Sequence, residues 1–123
     1  ISFFDDDDHV EEEGVARGRV AFEAEPVEGE VQQWEDGVDF KGKIAVLTHT
    51  LPSQVTALRH AAGIVTDQGG TLSHAAIIAR EYKIPTLIGT KRATEMFQTG
   101  DRVVLDTQEG FIRSEEGNGD MVE

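Results

Sequence analysis

Cysteine is absent from this 123-residue chain, which removes disulfide frameworks and thiolate metal centres from consideration. Proline occurs three times, and tryptophan and tyrosine once each. No apolar run approaches the roughly 20 residues a helix needs to cross a bilayer. No secretory pattern opens the sequence. These absences point to a soluble chain with a cytoplasmic home and no membrane partner. Basic residues are also few, 11 against 24 acids, and they form no stripe interleaved with aromatics. Nucleic acid is therefore not an expected partner.

The net charge of -13 is unevenly placed. Seven acids lie in Asp5 to Asp8 and Glu11 to Glu13, and four more are Glu115, Glu116, Asp120 and Glu123. Every lysine and arginine lies between these groups, so the body of the chain is close to neutral. Blocks of like charge repel and stay solvated. Residues 1–13 accordingly read as an acidic disordered tail, 14–113 as one folded domain and 114–123 as an acidic C-terminal tail.

Within the body, short β-type runs alternate with helical ones. Residues 15–22 alternate as a half-buried strand, and 23–38 lack a clear period, reading as loop with a short strand near Val31. A buried strand is expected at 43–47. A helix follows over 53–62, with Val55, Leu58 and Ala62 at helical spacing and Gly63 beyond its end. Residues 64–66 return as a strand. A second helix spans 73–83, stopped by Pro85, before a short strand at 86–88. A helical turn at 93–97 and a hairpin of 102–106 with 110–113 close the chain. Strand-helix-strand-helix-strand order implies an α/β fold with a central, partly parallel sheet. The loops after parallel strands emerge on one edge, so Thr48-His49-Thr50 should neighbour Asp67-Gln68-Gly69-Gly70. Thr50 is then within reach of His74.

The run Gly69-Gly70-Thr71-Leu72-Ser73-His74 is a glycine-rich turn that delivers a histidine to the opening of a helix. Glycines let backbone amides close on an anion, and a helix's first turn adds unpaired N–H groups and partial positive charge. Thr71 and Ser73 supply hydroxyls that cap the helix or bind an oxyanion. Small Ala75 and Ala76 leave the imidazole accessible. Such a setting suits a histidine that carries a phosphoryl group: a neutral imidazole is the nucleophile, and the helix terminus favours the phosphoryl anion that follows.

The block Gly69 to Pro85 resembles the phosphohistidine motif of the phosphoenolpyruvate-utilising enzymes, which include phosphoenolpyruvate synthase, pyruvate phosphate dikinase, Enzyme I and the rifampicin phosphotransferases. The likeness extends over 42–111, through Thr50-Leu51-Pro52, Gly63-Ile64-Val65-Thr66-Asp67, Ala79-Arg80-Glu81, Ile84-Pro85 and Gly100-Asp101. It implies the swivelling β/β/α domain, a sheet, a further β layer and helices, with His74 as the phosphorylated residue. From the loop's own chemistry, Gly69, Gly70, Thr71, Ser73 and Thr50 are expected to support the phosphate. Two departures stand out. Leu72 replaces a threonine that in plant dikinases is a regulatory phosphorylation site, so that regulation is not carried over. Lys83 replaces the glycine common at the helix end, removing an easy left-handed cap.

This chain has no Walker-type loop and no carboxylate cluster for magnesium. The resemblance therefore implies that Mg2+ and ATP or phosphoenolpyruvate bind to partner domains, an ATP-grasp nucleotide-binding domain and a phosphoenolpyruvate/pyruvate barrel. Neither is in this sequence, so a separate subunit or a piece of a longer polypeptide is expected, and the opening Ile1 favours the piece. The expected function is a phosphoryl carrier of the synthase/dikinase branch, not active alone. The rival readings are a non-catalytic interaction module of the same fold and a carrier acting on an antibiotic of the rifampicin type. Thr50 either bonds the imidazole or phosphate or only caps the following helix. His49 reads as a loop residue near the site edge, His60 as solvent-facing, and Arg80 as an ion-pairing or docking residue off His74's face. Asp67 either accepts loop N–H groups or is a plain turn residue. No histidine pair has metal-ligand spacing, so no metal is assigned.

Overall fold

The computed structural model describes residues 14–70 and 72–115. The two expected tails, apart from Ser114 and Glu115, lie outside these residues, as does Thr71. Eight strands form one sheet: β1 Val15–Arg17, β2 Arg19–Phe22, β3 Val27–Gln32, β4 Ile44–Leu47, β5 Gly63–Thr66, β6 Thr86–Ile88, β7 Arg102–Asp106 and β8 Phe111–Ser114. Three helices, α1 Val55–Leu58, α2 His74–Tyr82 and α3 Ala93–Met96, join a 3-10 turn at Pro52–Gln54.

The strand order is β1-β8-β7-β3-β4-β5-β6-β2. The parallel centre is β3-β4-β5-β6, with the antiparallel hairpin β7-β8 on one side and β2 antiparallel to β6 on the other. Strand β3 joins the two halves. Val27 to Glu30 pair with β7, while Val31 and Gln32 pair with β4. For this segment the sequence pattern predicts mostly loop, with a short strand near Val31. Its glutamates and Gly29 hide an inward pattern in which only Gly29 and Val31 are buried, too sparse for period-two reasoning.

Alternation along the parallel strands builds the β/β/α layers. Ile44 and Val46, Val65 and Leu87 face a core shared with Ala16, Val103, Leu105 and Ile112 of the second β layer. Their neighbours Ala45 and Leu47 and Ile64 face Leu58, Ala61, Ile78 and Ile84 on the helical side. Each fully buried aliphatic side chain contributes roughly 1.5–3 kcal/mol, so both interfaces stabilise the parallel strands at once. That is why those strands read as continuous apolar runs. Gly63 allows the β layers to close: a Cβ there would stand 2.6 Å from Leu105 Cδ2.

Three local outcomes differ from the sequence reading. The expected strand over 15–22 breaks at Gly18, whose Cβ would lie 2.5 Å from the Ile88 carbonyl oxygen. The chain there leaves β8 and passes to β6. The expected helix over 53–62 shortens to the 3-10 turn and one α turn, because the chain must return to pair Gly63 with Ile44. Lys83 adopts the left-handed conformation itself (φ 57°, ψ 48°), and its N–H donates to the Ala79 carbonyl. The helix ends as a glycine cap would end it, without the glycine.

Candidate functional site

Backbone hydrogen bonds stitch the loops after β4, β5 and β6 together at one sheet edge. Gln68 N–H donates to Thr48 O (2.9 Å), Lys91 N–H to Asp67 O (2.9 Å) and Thr90 N–H to Thr66 O (3.1 Å). The expected meeting of the β4 and β5 loops is realised. Asp67 then reaches across to α3, where its carboxylate accepts from the Thr94 N–H (3.0 Å) and from the Thr94 hydroxyl. The acceptor role read for Asp67 is present, directed at the start of a neighbouring helix.

At the centre of this edge, Thr50 Oγ1 lies 3.0 Å from His74 Nδ1. Thr50 is buried, whereas the His74 ring is only partly covered. Of the two openings left by sequence, the imidazole contact is therefore the one realised, and Thr50 does not cap the following turn. Leu51 precedes that turn: its N–H donates to Gln54 Oε1 (2.8 Å), and Gln54 N–H donates back to Leu51 O (2.8 Å). Fixing the turn fixes the backbone that carries Thr50.

His74 is the first residue of α2, and Ser73 is its N-cap, with Oγ accepting from Ala76 N–H at 3.3 Å. The cap satisfies one N–H of a first turn that has no intrahelical acceptors. Ser73 N–H donates to Gly70 O (3.0 Å), closing the loop behind the histidine. Gly69 has φ of +122°, and a Cβ on it would meet Ser73 Oγ at 3.2 Å. That position needs glycine. Gly70 has open space where a Cβ would stand and no positive φ, so its backbone is simply uncovered. Ala75 and Ala76 pack against Ile88 and Ala21, which sets the first turn of α2 on the sheet. Thr71 lies outside the described residues.

The remaining sequence candidates are dispersed. His49 and His60 are exposed, as is Arg80 on α2. Among the described residues, no three His, Asp or Glu side chains gather to hold a metal ion. Sequence reasoning missed Thr94 as the partner of Asp67 and Gln54 as the brace under Thr50. A signal for Gln54 was present: it lies three residues after Leu51 across Pro52, the spacing at which a side chain returns to the N-cap N–H.

What this arrangement can do is hold an accessible imidazole with one ring nitrogen bonded and the other available, beside an uncovered glycine backbone and a helix N-terminus. Residues 39–110 match the family model of the PEP-utilising enzyme, mobile domain. A probable phosphoenolpyruvate synthase of Pyrococcus abyssi is 47% identical over 72 residues, 58% of this chain and 9% of that protein. The phosphoenolpyruvate synthase of Pyrococcus furiosus is 49% identical over the same length. The chain thus spans about a tenth of the length of these relatives, 9% in each. A solution structure of Enzyme I superposes with a TM-score of 0.54 at 30% identity, covering 61% of this chain and 31% of that one. The matched stretch holds Thr50, the glycine loop and His74 together, and the chain belongs to the family of PEP-utilising enzyme mobile domains.

Proposed function

We propose that this chain is a phosphoryl carrier in which His74 is transiently phosphorylated. The observation that carries the reading is the contact of Thr50 Oγ1 with His74 Nδ1 at 3.0 Å. With the Nδ1 proton donated to Thr50, the lone pair of Nε2 is free to attack phosphorus. The Nε2–P bond forms as the donor's P–O bond breaks, and the leaving oxygen keeps that electron pair. The imidazolium proton stays on Nδ1, held by Thr50. In the reverse direction the acceptor oxygen displaces Nε2, and the neutral imidazole returns.

The partners in this reading are an ATP-grasp nucleotide-binding domain and a phosphoenolpyruvate/pyruvate barrel. Mg2+ and ATP or phosphoenolpyruvate bind there, in the cytoplasm, and Thr50, Gly69, Gly70, Thr71 and Ser73 support the phosphoryl group here. Incubation with radiolabelled phosphoenolpyruvate and a barrel-containing synthase tests it. Label should enter the chain, survive alkali and be lost in acid, and His74→Ala should abolish it. Label that persists in His74→Ala, or that moves to Ser73, overturns the assignment; a wild-type chain that takes up no label supports the interaction-module reading instead.

A further inference from the structure

A cleft of about 410 Å3 opens between the end of β3 and the loop after β4. Its size falls in the range of small-molecule sites. Trp34 lies on its rim, 43% exposed, with Leu51 and His49 nearby. Among the described residues, no carboxylate, lysine or arginine lines it. Its two glutamines are each half engaged. Gln54 is 6% exposed, and its Oε1 is fixed by the Leu51 N–H, so its Nε2 is the free end. No described group accepts from that buried amide, a costly omission unless something else does. Gln33 is the complement: its Nε2 donates to the carbonyls of Thr94 (2.9 Å) and Phe97 (2.7 Å), leaving Oε1 an acceptor with no donor among the described residues. Because carbonyls only accept and N–H groups only donate, both amide orientations are determined.

We propose that this cleft binds a flat, uncharged heterocycle that presents a hydrogen-bond acceptor beside a donor, the chemistry of a nucleobase. Its face stacks on Trp34, its acceptor meets Gln54 Nε2 and its donor meets Gln33 Oε1. Apart from the His49 imidazole, the described lining has no ionisable side chain and so gives little purchase to a phosphate or carboxylate, and an exposed indole offers its π-face to any planar ring. The inference goes beyond the carrier reading and does not rest on it, since no atom of His74 takes part.

Adenine and uracil are the probes. Trp34 is the chain's single tryptophan, so its emission reports on the cleft alone. Saturable quenching is expected with at least one base, together with shifts of the Gln54 and Gln33 side-chain amide resonances in NMR. Gln54→Glu keeps the oxygen that accepts from Leu51 and replaces the donor with an acceptor, so at pH 8 affinity should fall at least fivefold with the remaining backbone spectrum intact. Trp34→Leu, read by the same amide resonances, should weaken binding roughly 5- to 150-fold, the loss of one base stack. His74→Ala should leave base binding unchanged, which separates this inference from failure of the carrier reading. Absence of saturable shifts with both bases overturns the proposal, as does binding that survives Gln54→Glu. It is equally overturned if N-acetylglycinamide moves the same resonances as strongly as the bases, because the cleft would then be a seat for peptide backbone.

Discussion

Thr50 Oγ1 and His74 Nδ1 meet at 3.0 Å although 24 residues separate them in the chain, and the buried hydroxyl leaves the partly exposed ring little freedom on that side. In the proposed reaction Thr50 acts through His74, as a positioning residue. In Thr50→Val the hydroxyl is lost with little change of shape. Phosphorylation of His74 by a phosphoenolpyruvate-dependent partner should slow about five- to tenfold, the worth of roughly one hydrogen bond. Thr50→Ser should restore most of the rate. Single-turnover labelling measures both, and equal rates for wild type and Thr50→Val would remove Thr50 from the mechanism.

The two loop glycines should behave differently. Gly69→Ala forces a side chain into a φ of +122° and against Ser73 Oγ, at a cost of about 1–3 kcal/mol in stability. Gly70→Ala meets nothing and should change stability by less than about 0.5 kcal/mol. Urea unfolding midpoints of the two variants decide this, and equal midpoints would contradict the geometry.

Lys83 holds a conformation that costs a side chain roughly 1 kcal/mol relative to glycine. Lys83→Gly should accordingly raise the stability by about 0.5–1 kcal/mol, partly offset by the greater freedom of glycine in the unfolded chain. A thermal midpoint that falls would show that the lysine side chain contributes more than its backbone strain costs.

Asp67 ties the β5 loop to α3 through two hydrogen bonds to Thr94. Asp67→Ala leaves the Thr94 N–H and hydroxyl without their acceptor and should destabilise by about 1–3 kcal/mol. Amide exchange at Thr94 should rise with it. Unchanged protection at Thr94 would show that α3 is held by packing of Ala93 and Phe97 instead.

By itself the sequence determined the local parts of the candidate site and the parallel half of the fold. Gly69, Ser73 and His74 are local to one turn, and apolar runs such as 44–47 are continuous because both faces of a central parallel strand are buried. Local signals of that kind are read without knowing the partner. The tertiary structure decided what depends on distant neighbours. Glu28 and Glu30 are unremarkable until β3 is seen to pair with both β7 and β4, and Gly18 and Gly63 are required only because Ile88 and Leu105 crowd them from elsewhere in the chain. The same holds for Thr50, whose choice between capping a turn and holding the imidazole was settled by the register of β4 against β5, and for Gln54 and Gln33, whose free amide ends exist only because backbone partners occupy the others. Period and residue type report which groups are present. Only the packed sheet edge fixes which of them are already satisfied.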